Sequence, residues 1–214
     1  GIEYRIFMGD PGQNAVWMQL DDFLQKKWQL SDGTSLGISC ACVDSGGHFT
    51  TEVYRFTKAR EYRRVYAIKG RGGQGIPLVG KPVRNNRIGA VRFDLGVDSG
   101  KATVMSRIKI EEEGPGYCHF PRDQQRGYDL EYFRGLLSER LKYEYRNGKV
   151  KVVWDQIYER NEPLDCRNYA TAAIEILSPN FEALAAMPGR GNVYSQAPEQ
   201  KRARRRGVLS RGVT

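Results

Sequence analysis

The chain has 214 residues and a formal net charge of +9, with 40% hydrophobic and 28% charged residues. That suffices for one substantial domain, or a domain with a tail, of ordinary globular composition. No run approaches the ~20 apolar residues of a membrane span, and no basic-then-apolar leader is present, so membrane and secreted classes are set aside. The basic excess is uneven, since from Glu199 onward six basic residues face a single acid, a net +5. A polyanionic partner is indicated, although the tail alone would bind any polyanion. The four cysteines, Cys40, Cys42, Cys118 and Cys166, match no zinc-site spacing and read as reduced core thiols.

In chain order, residues 2–8 (IEYRIFM) read as a strand and 9–12 (GDPG) as a turn. Residues 14–29 carry Val16, Trp17, Leu20, Phe23, Leu24 and Trp28 at helical spacing, with Asn14 able to cap the start. The apolar run 38–43 reads as a strand and ends in an acid, Asp44. Ser45-Gly46-Gly47 turns, His48 follows, and a helix is expected from about Thr50. A carboxylate at the C-terminal end of a buried strand is where α/β proteins place their chemistry. The turn glycines would let a phosphate backbone come close. Ordinary turn chemistry, or capping of the following helix by Asp44, explains the same residues.

Residues 64–69 (RVYAIK) read as a second buried strand, followed by the glycine-rich 70–75 (GRGGQG). A dinucleotide-binding loop is rejected, because a helix should open directly behind it and Ile76-Pro77 leads into more loop. Residues 90–97 form a third expected strand, ending in Asp98, with a helix beyond Ser99-Gly100-Lys101 to about 109. Thus strand, Asp, small residue, Gly occurs twice. Residues 117–121 suggest an edge strand because of Pro121. Residues 128–145 place Leu130, Phe133, Leu137 and Leu141 on one face of an expected helix. A turn at Asn147-Gly148 leads into a strand over 149–157. A helix opens near 160–165 and runs to about 177, with Asp165 in its first turn, where negative charge is favoured. Little fixed structure is expected from about 188 onward. The domain plan is therefore 1–178, then a basic, flexible tail over 179–214.

Six segments together resemble one family. They are CVDSGGHFTTEVYRF (42–56), RVYAIKGRGGQG (64–75), GVDSGKATVMSRIKI (96–110), GPGYCHFP (114–121), YDLEYFRGLLSE (128–139) and RNEPLDCRNYATAAIEIL (160–177). In this order and at about this spacing they resemble the C-terminal nuclease domain of the large terminase subunit of lambda-like tailed bacteriophages. The resemblance implies an α/β, ribonuclease H-like mixed sheet flanked by helices. It also implies a metal-dependent endonuclease that cuts concatemeric double-stranded DNA at packaging, in the host cytoplasm, with the terminase small subunit and procapsid portal as partners. The implied cofactor is Mg2+ or Mn2+, as two ions, because in-line phosphodiester hydrolysis needs charge stabilisation on both oxygens and such ions take oxygen ligands.

Carried onto this chain, the resemblance makes Asp44 and Asp165 metal ligands and places Asp98 and Lys101 among the catalytic residues. Lys101 would contact DNA phosphate, and Asp98 would either support the site or cap its helix. His48, Lys69 and Arg71 join Lys101 as nucleic-acid-binding candidates. His48 would orient the scissile phosphate or serve as a structural hydrogen-bonding group, and Glu162 is expected to pair with an arginine. The family pattern has a first strand with a metal-binding Asp, and a second strand, upstream of residues 2–8. Their absence implies a shortened sheet, open edges and weak or no cleavage by this chain alone. One alternative is a DNA-binding or motor-contacting fragment whose acids are structural. Another is a different nuclease or recombinase of the same fold class.

Overall fold

A computed structural model describes residues 1–186, apart from Gln74 and Asn147. The expected basic tail lies outside the described residues from 187 onward. The elements run α1 (Asn14–Gln25), β1 (Trp28–Gln29), β2 (Ser35–Leu36), β3 (Ala41–Asp44), α2 (Thr50–Lys58), β4 (Val65–Arg71), β5 (Val83–Arg84) and β6 (Val91–Gly96). Then follow α3 (Val97–Ile108), α4 (Leu130–Leu136), β7 (Glu139–Arg146), β8 (Lys149–Gln156), α5 (Glu162–Leu177) and α6 (Phe181–Ala185). Among the described residues, no helix is long and apolar enough to cross a membrane.

The central sheet has the order β3-β4-β6-β5. β3, β4 and β6 are parallel, and β5 joins β6 antiparallel, which makes the sheet mixed. Strand β4 is apolar on both faces because helices cover both, as parallel sheets require. Its pleat sends Ala67 towards α2, where it packs with Val53 and Tyr54. It sends Ile68 the other way, against Leu95 and Ala172 of α5. Ala67 and Ile68 are both fully buried. On the α5 side, Val104 of α3, Tyr132 and Leu136 of α4 and Leu164 of α5 form a further cluster. Helix α1 lies outside α2, held by Asp21, which accepts hydrogen bonds from Arg60 and Arg63.

Five expectations from the sequence are corrected. Residues 2–8 form no strand. The segment is tied down by a backbone bond from Tyr4 N to Arg126 O at 2.9 Å, and by Glu3, whose buried carboxylate accepts from Lys26 Nζ at 2.6 Å and Trp28 Nε1 at 2.8 Å. The helix expected over 14–29 stops at Gln25, and Trp28 joins a two-residue ladder with Leu36. Residues 117–121 form no strand. The helix expected over 128–145 ends at Leu136, and 139–146 pairs with 149–156 as an antiparallel ribbon. Leu141, Tyr143 and Tyr145 alternate along one face of that ribbon, a period of two, and Gly148 supplies the positive φ of its turn. The cysteines sit at the margins of the core rather than inside it: Cys40, Cys42 and Cys118 are half-buried and Cys166 is exposed.

Candidate active site

Because β3, β4 and β6 are parallel, their C-terminal ends lie along one edge, the position where open α/β sheets bind ligands. Asp44 is the last residue of β3, in register with Ile68. The chain then turns sharply. Buried Ser45 donates both its N–H (2.8 Å) and its Oγ–H (2.7 Å) to the carbonyl of Ile68. Thr50 Oγ1 donates to the carbonyls of Ser45 and Gly47. Asp44 does not cap α2, which has no side-chain cap. Its Oδ1 accepts from the N–H of Gly46 at 2.8 Å, and Oδ2 accepts from Tyr169 Oη at 3.2 Å. The carboxylate is thus exposed, aimed by its own turn and linked to α5.

Helix α5 supplies the opposing wall. Pro163 sits in its first turn, where a missing N–H costs nothing. Asp165 lies in the same turn, and Tyr169 stands one turn later on the same face. Burial is the largest influence on Asp165 and raises its carboxyl above the ordinary value. The charge of Lys101 opposes that rise, while those of Glu139, Asp44 and Glu162 add to it. The Tyr169 phenol is raised as well, first by burial and then by Asp44 and Asp165. Asp44 and Asp165 therefore share one electrostatic neighbourhood, with negative charge in excess.

Lys101, on α3, points into this neighbourhood. Its Nζ lies 2.7 Å from both carboxylate oxygens of Glu139, the first residue of β7. The two side chains are only 12% and 7% exposed. Asn161, at the start of α5, donates its Nδ2 to Glu139 Oε1 at 3.2 Å. Glu139 and Tyr169 are the two residues of the site that the sequence reading did not single out. Glu139 was hidden by the expected helix, on which it would have been a solvated charge. The alternation of 139–145 before Asn-Gly is the signal that would have placed it.

The other candidates lie elsewhere. Asp98 sits within the first turn of α3, and its Oδ2 accepts from the N–H of Gly73 at 2.8 Å, tying the glycine-rich loop to the helix. His48 is exposed in the turn after β3. Lys69 and Arg71 alternate onto the α2 side of β4, away from the acids. Arg71 Nε donates to Asp94 Oδ2 at 2.7 Å, and the charge of Lys69 acts on Tyr54 of α2. Glu162 pairs with Arg160 at 3.7 Å. No helix opens behind the glycine loop. Among the described residues, no three His, Cys, Asp or Glu side chains converge closely enough to hold a metal ion. Asp44 and Asp165 nevertheless fit a hard divalent cation: they are oxygen donors with uncompensated negative charge, and such ions complete their shells with water.

Comparison with known proteins finds similar sequences over most of the chain. The family described as terminase large subunit gpA, endonuclease domain, matches residues 1–185. The chain is 32% identical over 179 residues to the terminase large subunit of Escherichia phage lambda, covering 82% of this chain and 28% of that protein. It is 32% identical over 180 residues to the terminase large subunit of Enterobacteria phage P21, with the same coverage. The chain thus spans less than a third of the length of these relatives. No solved structure matches it.

Proposed function

The chain belongs to the terminase large subunit gpA endonuclease domain family, and from that premise we propose that it carries the DNA-cleaving centre of a phage packaging enzyme on a ribonuclease H-like sheet. Its substrate is double-stranded DNA in concatemeric form, and its partners are the terminase small subunit and the procapsid portal. The observation that carries the reading is the hydrogen bond from Tyr169 of α5 to Asp44 at the C-terminal edge of the sheet, one turn after Asp165, which feels the charge of Asp44. Asp44 and Asp165 would hold Mg2+ or Mn2+, which would supply charge stabilisation for the entering and leaving oxygens of an in-line displacement.

The residues of the chain divide the remaining work. Tyr169 fixes the orientation of the Asp44 carboxylate through its hydrogen bond to Oδ2. Lys101, held by Glu139, places a fixed positive charge beside the acids, where a DNA phosphate arrives. Asp98 supports the site indirectly by anchoring the glycine-rich loop. His48, in the turn after Asp44, lies along the same approach.

The test is nicking of supercoiled plasmid in Mn2+ and then Mg2+, alongside Mn2+ binding by calorimetry. Weak nicking and Mn2+ binding are expected, both lost in Asp44→Asn and Asp165→Asn. Variants that cut as well as the wild type would overturn the assignment. A second reading, DNA binding without cleavage, is favoured by the absence of a third converging acid among the described residues. It predicts binding that falls steeply with salt and is unchanged by Asp44→Asn.

A further inference from the structure

Helices α3 and α5 meet along a narrow seam. Gly100 and Val104, one turn apart on α3, face Leu164 and Asn168, one turn apart on α5. Gly100 is buried, and Val104 and Leu164 share a core cluster. Asn168 is 1% exposed. Its Nδ2 donates to the carbonyl of Val97 at 3.2 Å, in the first turn of α3. Its Oδ1 has no hydrogen-bond partner and is pressed against Gly100, where an added Cβ would come within 1.7 Å of it and 2.7 Å of Asn168 Cγ.

A buried acceptor without a donor is costly. A leucine at 168 would fill the seam with no orphaned oxygen, so packing alone does not account for an amide here. The amide does something a leucine cannot: its nitrogen fixes the height of α5 against the first turn of α3, while its oxygen fixes the distance at Gly100. The residue after Gly100 is Lys101, and the residue one turn before Asn168 on α5 is Asp165. We propose that Asn168 and Gly100 form a positioning contact that sets Lys101, and with it the Glu139 carboxylate, beside Asp165.

The inference rests on the reading of Asp44 and Asp165 as the cleavage centre. Neither Asn168 nor Gly100 touches the reacting atoms. Their effect is exerted through the placement of Lys101, and a misplacement of about 1 Å costs on the order of 100-fold in rate.

The experiment is a size-swap cycle: Asn168→Ala, Gly100→Ala and the double variant, compared with the wild type at a temperature where each is folded by circular dichroism. Mn2+-dependent nicking and Mn2+ affinity are measured for all. Asn168→Ala opens the seam and is expected to lose nicking about tenfold, in the range for groups that orient a site. Gly100→Ala forces the helices apart and is expected to lose about 100-fold. In the double variant the new methyl occupies the vacated space, and nicking recovers above either single variant, a coupling that independent sites do not show. If Gly100→Ala fails to fold, the decision falls to Asn168→Ala and the double. Nicking and Mn2+ affinity unchanged in folded Asn168→Ala, or a double variant worse than both singles, would overturn the proposal. A wild type that neither nicks DNA nor binds Mn2+ would instead overturn the reading of the site itself.

Discussion

The tetrapeptide Val-Asp-Ser-Gly occurs twice, at 43–46 and 97–100, and the two copies have different fates. At the first, the Asp ends a strand and its carboxylate stays exposed beside α5. At the second, helix α3 has already begun at Val97, and the Asp points back to the glycine-rich loop. Both serines do the same job. Ser45 Oγ donates to the carbonyl of Ile68 and Ser99 Oγ to that of Ile76. What differs is the residue that follows each glycine. Gly47 keeps the first copy in a turn, whereas Lys101-Ala102-Thr103 continue a helix that admits no loop between strand and helix. Under the proposed function, the lesson is that a carboxylate at a strand end becomes a site where a second element brings another acid to it, as α5 brings Asp165 towards Asp44.

The sharpest way to break this contrast is to neutralise each copy in turn. Asp44→Asn is expected to lower Mn2+-dependent nicking by roughly 10²- to 10³-fold, the scale for removing one preorganised electrostatic group. Asp98→Asn retains the shape of the side chain and loses a single charge-assisted bond, so a loss below about tenfold is expected. Equal losses in the two variants, read as initial nicking rates, would erase the distinction.

The second largest effect is expected at Tyr169, which has no counterpart at Asp98. Tyr169→Phe keeps the ring in its core cluster and removes the donor to Asp44. Mn2+ affinity is expected to fall by about tenfold, the lower end for a group that orients a metal-binding carboxylate. An unchanged affinity would leave the 3.2 Å contact without a role.

How much of this was legible in the sequence follows from the same comparison. The positions of Asp44 at a strand end and Asp165 at a helix start were legible, because both are written in nearby residues, while the ligand role proposed for them came from the family resemblance. So was the buried strand at 64–69, which is apolar beyond what a one-sided strand needs, whereas 90–97 alternates Arg92 and Asp94 with apolar residues and does not disclose its parallel pairing. Asp98 was placed beyond a strand, whereas the helix swallows it. Glu139 was lost because Leu130, Phe133, Leu137 and Leu141 fit a helical face, and that pattern outweighed the alternation of 139–145 before the Asn-Gly turn. What stops it is tertiary: Gly135 lies against Pro163, where an added Cβ would come within 2.6 Å, and the residues beyond find a partner strand in 149–156. Tyr169 and Asn168 were unreadable because their roles depend on which residues of β3 and α3 stand opposite them, and a single sequence does not contain that information.

A smaller effect tests the role given to Asp98. Its carboxylate is the acceptor for the Gly73 N–H, so Asp98→Asn should free the glycine-rich loop while sparing Asp44. The loss of about 1 kcal/mol corresponds to roughly fivefold faster amide exchange at Gly73, measurable by hydrogen exchange. Exchange unchanged at Gly73 would show that the loop is held by other bonds.

The smallest expected effect concerns stability, and its sign separates the two acids that do meet. Burial and the neighbouring carboxylates raise the carboxyl of Asp165 above its ordinary value of 3.8. In the folded chain it therefore binds its proton more tightly than in the unfolded chain. Below the ordinary value both states are protonated and Asp165 costs nothing. As pH rises through that value and then through the raised one, the unfolded state ionises freely while the folded state must accept a disfavoured charge. The contribution of Asp165 to stability thus declines across this window, and the full cost is present at neutral pH. Asp165→Asn removes it, so the variant should melt above the wild type at pH 7, with the gain shrinking as pH falls towards the ordinary carboxyl value. Mn2+ should narrow the same gap from the other side, by stabilising the wild type and not the variant. A variant less stable than the wild type at pH 7 would mean that the charge of Lys101 already outweighs burial and the neighbouring carboxylates at Asp165, leaving no excess negative charge for a cation to relieve.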